Sequence, residues 1–272
     1  MNIIDYCEHI LFCPKIEDKL LSPSEVYCFE RKIGKTIPVM PARDIRYKFS
    51  DKRVKFPKAG SLNDDKNKAL ALHFFANHEL LAIEMMAGAI IKFAYTVEPS
   101  EFKKISIGIL SAIKDEQKHF KLYQSRFNEL GLKFGDVPVN DFFWKYFDEL
   151  NSFEDFFSIM SLTFEAANLD FAYYYADVFR SIGDEKTAKI LDVIYKDELK
   201  HVQLGAFWVK NLSEKENLWN AYVNSLPEGI TPARSKGISF DLDHRKKAGL
   251  PGCFIEELNQ FEDNFRITNR RK

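Results

Sequence analysis

DEQKHF at residues 115–120 and DELKHV at residues 197–202 are two copies of the pattern Asp-Glu-x-x-His within one chain. Side chains three residues apart lie on the same face of a helix, so each glutamate shares a face with its histidine. Both pairs continue a stripe of apolar residues, which predicts that they point into a core. A buried carboxylate costs several kcal/mol unless its charge is compensated. Two such acids at core positions therefore indicate a bound cation.

The helix before each pattern carries a further glutamate at an apolar position. Glu84 precedes Glu116 by 32 residues and Glu165 precedes Glu198 by 33 residues, so the chain resembles two similar helix pairs. Glu79 is the alternative to Glu84 as the ligand from the first long helix. Their separation is about 140° around a helix, so both cannot face the same centre equally. The matching spacing favours Glu84 as the ligand.

The combined donor set predicts a dinuclear metal centre inside a helical bundle. Four glutamates carry four negative charges, histidine ligands are neutral, and no matching set of Lys or Arg lies on these stripes, so two divalent cations balance the charge. Oxygen and nitrogen ligands without thiolate suit iron or manganese. The sequence therefore predicts two iron ions, with manganese as the alternative, bound by Glu84, Glu116, His119, Glu165, Glu198 and His201.

Each Glu-x-x-His pair is preceded directly by an aspartate, Asp115 or Asp197. A histidine that binds a metal through one ring nitrogen usually donates its other N–H to a carboxylate. We therefore expect Asp115 and Asp197 to orient the two histidines, each acting on the histidine of the other pattern.

The apolar pattern predicts an all-α protein with four long helices, at residues 64–96, 101–131, 153–181 and 184–211. Four long helices with one longer crossover are typical of a ferritin-like four-helix bundle. The predicted division is an N-terminal helix and basic extended arm, the bundle, and a C-terminal helical extension that packs on the bundle, at residues 1–62, 63–212 and 213–272. Short helices are expected at 3–21 and 252–261, and Ser213-x-x-Glu216 is a capping signal for another.

The composition excludes several classes of protein. A net charge of −1 argues against a general nucleic-acid-binding protein. The four cysteines form no CxxC pair, so we expect reduced thiols rather than a zinc ribbon or a rubredoxin-type iron site. The first residues lack the pattern of a signal peptide, and Glu84 interrupts the most apolar window, at 80–91. We therefore expect a soluble, cytoplasmic protein with no membrane partner.

The ligand pattern resembles that of the ferritin-like di-iron carboxylate proteins. Five segments are similar to those of an uncharacterised bacterial ferritin-like family that neighbours the tRNA hydroxylases. They are HELLAIEMMAGA, DEQKHF, RFNELGLKFGDVPV, EAANLDF and DELKHVQLGAFW. The resemblance covers roughly residues 40–250 and implies an oxygen-activating iron site. Rubrerythrins share the bundle but carry a rubredoxin module that this chain lacks, so an external electron donor protein is implied.

Three functions are compatible with these features. The leading hypothesis is a di-iron oxidoreductase that uses O2 to hydroxylate or oxidise an organic substrate. The alternatives are a ferroxidase or peroxide-consuming di-iron protein, and a non-enzymatic helical module with a structural metal. The basic arm at 43–58 is either a solvated face or a contact for the phosphates of an RNA substrate. Its cations are Arg43, Arg46, Lys48, Lys52, Arg53, Lys55 and Lys58.

Overall fold

The computed structural model describes residues 1–52, 54–213 and 217–263. Ten α-helices form within these ranges and no β-strand does, apart from two isolated bridges. The predicted all-α class is therefore confirmed for the described part of the chain. Arg53 of the basic arm, Glu216 of the capping signal and residues 264–272 of the C-terminal extension lie outside the described residues.

The chain forms two compact units, Met1–Asp148 and Glu149–Lys272. The sequence predicts a different division, into an N-terminal arm, a bundle and a C-terminal extension. That division stays a prediction.

The first unit contains α1 (Ile3–Phe12), α2 (Ile16–Lys19), α3 (Asp65–Lys92) and α4 (Pro99–Glu129). The long helices α3 and α4 pack along each other, and α1 packs on α3. The Asp64 side chain accepts the backbone N–H of Asn67 at the start of α3. Pro99 occupies the first position of α4, where its missing N–H has no cost. These local signals explain why two of the predicted long helices are found within a few residues of their expected bounds.

The predicted helix at 3–21 is interrupted. Helix α1 ends at Phe12 because Pro14 follows two residues later, and the residue before a proline is disfavoured in helical conformation. The chain turns there and restarts as the single turn α2, which returns Lys19 towards α1: its Nζ donates to the carbonyl of Ile10 at 2.6 Å.

The second unit contains α5 (Phe153–Ile159), a π-helical segment (Met160–Glu165), α6 (Ala166–Ser181), α7 (Glu185–Leu212), α8 (Leu218–Asn224), α9 (Leu242–Lys247) and α10 (Gly252–Gln260). The predicted helix at 153–181 is thus one helical path with a widened turn inside it. Gly183, at φ +79°, reverses the chain between α6 and α7, and the Asp184 side chain caps α7. Helix α9 lies outside the helices expected from the sequence.

Helix α3 is long and apolar enough to cross a membrane by composition alone, but most of its apolar part is buried inside the protein. A helix that is apolar on nearly every face belongs to a core when its surface is covered in this way. The burial is consistent with the expectation of a soluble protein, and the cytoplasmic location stays a prediction.

Candidate metal centre

In the first unit, α3 contributes Glu79 while α4 contributes Glu116 and His119; these three residues are named the first triad. All three are buried, and their donor atoms lie within 4.8 Å of one another. The Nδ1 atom of His119 is 3.7 Å from Glu116 Oε2 and 3.9 Å from Glu79 Oε2. Both separations exceed a hydrogen bond, so the ring nitrogen faces two carboxylates across a gap that could hold a metal ion.

The carboxyl groups of the first triad repel each other. Burial raises the pKa of Glu79 well above its usual range, and both the charge of Glu116 and a hydrogen bond with it raise that pKa further. His119 lowers the pKa. Two carboxyls in a dry site cannot both ionise without a nearby positive charge. A divalent cation in the first triad would therefore relieve this repulsion.

In the second unit, Glu165 ends the π-helical segment while Glu198 and His201 lie on α7; these residues are named the second triad. They too are buried, with donor atoms within 4.8 Å of one another. His201 Nδ1 is 3.5 Å from Glu198 Oε2 and 3.7 Å from Glu165 Oε1. In each unit, two carboxylates thus face the Nδ1 atom of one histidine.

Asn168 was not expected at the site. It lies on α6, and its Nδ2 donates to Glu198 Oε1 at 2.9 Å, which fixes the orientation of that carboxylate. The signal was present in the sequence, because Asn168 follows Glu165 by three residues and therefore shares its helix face.

The widened π-helical turn ends at Glu165, and such turns occur frequently at functional sites. Two observations explain how the turn is held. The Thr163 hydroxyl donates to the Ser158 carbonyl at 2.9 Å and lies 2.9 Å from the Tyr222 hydroxyl of α8. Opposite, a Cβ on Gly205 of α7 would lie 2.2 Å from Ser161 Cβ, so only glycine admits this close approach.

The structure places Glu84, the glutamate expected from sequence as the first-helix ligand, among two cations rather than beside Glu116 and His119. Glu84 is fully buried, but its carboxylate accepts from Arg43 Nη2 at 2.7 Å and lies 3.1 Å from Lys19 Nζ. Two protein cations therefore already surround one carboxylate, and a metal ion added there would meet net positive charge. Glu79 occupies the position beside Glu116 and His119 instead.

Helix geometry explains why the sequence does not distinguish the two glutamates of α3. Glu79 and Glu84 point in directions about 140° apart, as expected for a separation of five residues. Because α3 is buried on nearly every face, both directions lead into apolar surroundings, and the apolar stripe cannot distinguish them. The similar spacing of the two helix pairs, 32 and 33 residues, therefore does not identify which of the two glutamates faces Glu116 and His119.

The position of Arg43 also changes the interpretation of the basic arm. Its side chain is 1% exposed and donates to Glu84 and Asn77, so it cannot contact a nucleic acid. Arg46, by contrast, is largely exposed and pairs with Asp44. Arg43 is therefore removed from the cations available to an RNA phosphate.

Asp115 and Asp197 each contact the lysine three residues further along the helix. Asp115 Oδ1 accepts from Lys118 at 3.1 Å, and Asp197 Oδ1 accepts from Lys200 at 2.9 Å. Asp197 is buried. Their orienting role towards His119 and His201 stays a prediction.

The two glutamates of α3 should give opposite phenotypes when each is replaced by glutamine. We expect Glu79→Gln to lose metal and to keep or gain stability, because it removes a carboxyl whose ionisation is opposed by burial and by Glu116. We expect Glu84→Gln to keep metal but to lose about 3–5 kcal/mol of unfolding free energy, because Lys19 and Arg43 stay buried without their carboxylate. Metal analysis after anaerobic ferrous loading, together with urea unfolding, measures both quantities. Metal loss in Glu84→Gln with retention in Glu79→Gln would restore the assignment made from sequence spacing.

Comparison with known proteins places the chain in a family. An uncharacterized protein of Haemophilus influenzae is 26% identical over 163 residues, which span 58% of this chain and 56% of that protein. The aligned region is thus little more than half of the relative's length. No solved structure matches the chain significantly. The model of the family described as "Protein of unknown function (DUF455)" matches residues 13–256, and the chain therefore belongs to that family.

Proposed function

We propose that the two triads hold a pair of metal ions, iron or manganese, and that α3, α4, the helical path at 153–181 and α7 are the four helices of a ferritin-like protein. The observation that carries this proposal is the duplication: each unit presents two buried carboxylates to Nδ1 of one histidine, at 3.5–3.9 Å. Carboxylates fall on each of these four helical paths, and Glu-x-x-His on two of them, which is the ligand pattern of the ferritin-like carboxylate proteins.

The donor set fits such a pair of ions. Four carboxylates and two neutral imidazoles carry four negative charges, which two divalent cations balance. The ligand atoms are oxygen and nitrogen without sulfur, a set that suits iron or manganese. We place Glu79 rather than Glu84 in the ligand set, because Lys19 and Arg43 already neutralise the Glu84 carboxylate.

The function that this site supports best is a di-iron carboxylate oxidoreductase that activates O2 to hydroxylate or oxidise an organic substrate. Bound iron supplies the redox chemistry with O2. The chain's residues hold the ions in a buried site, Asn168 orients Glu198, and the widened turn aims Glu165. Burial of all six ligands keeps bulk water away from the reacting centre. An external electron donor protein would provide reducing equivalents. An RNA substrate has weaker support now that Arg43 is buried.

Anaerobic loading with ferrous iron tests the proposal. We expect two iron ions per chain, a change in the optical spectrum on exposure to O2, and a stop after one turnover until a reductase is added. Steady O2 or peroxide turnover with ferrous iron alone would support a ferroxidase or peroxide-consuming protein instead. A metal-loaded protein inert to both oxidants would show that the metal is structural, and protein that takes up no metal would overturn the proposal entirely. Metal-free protein is the control for each measurement.

A further inference from the structure

A second cluster of reactive side chains lies at the end of α1, within the first unit. Cys13 follows the helix directly, His9 lies one turn earlier, and Asp18 lies on α2. The Cys13 Sγ atom is 3.5 Å from His9 Nδ1, and the His9 Nε2 atom is 3.0 Å from Asp18 Oδ1. The thiol, the imidazole and the carboxylate therefore form a linear chain of hydrogen bonds that the proposed metal centre does not use.

The order of these groups is that of an activated nucleophile. The tautomer with its proton on Nε2 donates to Asp18 and leaves Nδ1 free to accept the thiol proton. A base that contacts the nucleophile on one side and a carboxylate on the other is the arrangement that raises nucleophilicity in cysteine and serine enzymes. The cluster is also reachable, because the His9 and Asp18 side chains are 36% and 27% exposed.

Local charges favour the imidazolium that proton transfer would create. His9 lies in the last turn of α1, where the helix dipole stabilises a positive charge, and Asp18 stabilises the same charge. The dipole opposes a thiolate on Cys13, but the nearby charges of His9 and Lys19 attract it. Asp18 and Lys19 thus lie near the two groups between which the proton would pass.

A metal site fits the same residues less well. Cys13, His9 and Asp18 each offer a donor atom within 4.8 Å of the others, a set of three that could hold a metal ion. The thiol and the carboxylate contact opposite ring nitrogens of His9, however, and an ion binds only one of those nitrogens. Structural zinc sites also have four ligands. The arrangement of His9 between its two partners thus fits proton transfer better than metal coordination.

We propose that Cys13 is a nucleophilic thiol and a site of covalent modification by small uncharged electrophiles, with His9 as its base and Asp18 as the residue that positions His9. With iodoacetamide as the probe, a bond forms between Cys13 sulfur and the methylene carbon while the carbon–iodine bond breaks. Iodide leaves with the electron pair, and the thiol proton passes to His9 Nδ1 and then to solvent.

The other cysteines of the same molecule provide internal controls. All four are free thiols: Cys253 is exposed, Cys28 is half-buried, and burial raises the pKa of Cys7 well above its usual range. Exposure alone would make Cys253 the fastest to react. We expect Cys13 to react at least about tenfold faster than Cys253 under limiting iodoacetamide, as activated thiols do. Mass spectrometry of the digested protein gives the rate at each position.

His9→Gln and Asp18→Asn separate activation from exposure. We expect His9→Gln to lower the Cys13 rate to that of Cys253, and Asp18→Asn to lower it partly, while Cys253 itself is unchanged. In concentrated guanidinium chloride the Cys13 and Cys253 rates of the wild-type chain should become equal.

A folded wild-type protein in which Cys13 reacts no faster than Cys253 overturns the proposal, whatever the variants do. An unchanged Cys13 rate in folded His9→Gln protein overturns the role of His9. Iron loading should be the same in both variants and the wild type.

Discussion

Replacing His201 by alanine should sharply reduce the metal bound by the chain while leaving its helical content largely intact. The variant deletes the ring nitrogen that faces Glu165 and Glu198, and these carboxylates are left without a neutral ligand between them. Loss of a residue that merely orients a metal ligand typically costs about 10–100-fold in affinity, so the loss of a ligand itself should exceed that range. The α7 helix should persist, because alanine is a strong helix former.

Glu116→Ala in the first unit provides the matched experiment. We expect Glu116→Ala also to reduce bound metal sharply, because it removes a carboxylate from the first triad. Unchanged metal content in either variant would contradict the proposed ligand set. Gln203→Ala, at an exposed position on α7, controls for the effect of substitution in that helix. Metal analysis and circular dichroism on the same samples provide the two measurements.

The second large effect is expected at Arg245, which is fully buried in the second unit. Its guanidinium donates to both carboxylate oxygens of Asp170, and it also donates to the carbonyls of Ala166 and Ser235 at 3.1 and 2.8 Å. Ala166 directly follows Glu165, a proposed metal ligand. The single side chain thus links α9 to α6 at the end of the widened turn.

Arg245→Met should cost about 3–5 kcal/mol of unfolding free energy, because it leaves the Asp170 carboxylate buried without its cation. Adding Asp170→Asn to this variant should recover part of the loss. The double variant buries no charge, and the asparagine oxygen can still accept the Gly237 N–H that Asp170 accepts at 2.8 Å. Urea unfolding followed by circular dichroism gives the free energies.

Lys246→Met is the matched control for Arg245→Met. Lys246 is the next residue on α9 and pairs with Asp243, but both side chains are largely exposed. An exposed pair contributes about 0.2–1 kcal/mol, so its loss should be small. Equal losses of unfolding free energy in the two variants would show that the buried pair of Arg245 and Asp170 stabilises the protein no more than the exposed pair of Lys246 and Asp243. A double variant less stable than Arg245→Met alone would contradict the buried-charge explanation.

Helix positions were predictable because their causes are local. Four helices begin at residues whose cause lies one to three positions away: Asp64, Pro99, Ser152 and Asp184. The apolar stripes of α4 and α7 are also local, since they depend on spacing within one helix. The widened turn before Ala166 could not be predicted in this way, because Tyr222 from α8 and the close approach at Gly205 hold it.

Parts of the candidate site were predictable for the same reason. Glu116 with His119, and Glu198 with His201, share a helix face at a spacing of three residues, and the structure brings each pair together. Asn168 could have been found from its spacing to Glu165. All of these relations lie within single helices, where the backbone fixes the direction of each side chain.

The sequence by itself determined the all-α class, the bounds of the long helices and the Glu-x-x-His pairs, because each depends on residues within a few turns. The tertiary structure alone decided which glutamate of α3 joins the first triad. Glu79 and Glu84 both lie in apolar surroundings, and their difference comes from Lys19 and Arg43, which are distant in sequence. A buried carboxylate is neutralised by whichever cation the fold brings within a few ångströms, and the spacing along one helix contains no information about that partner.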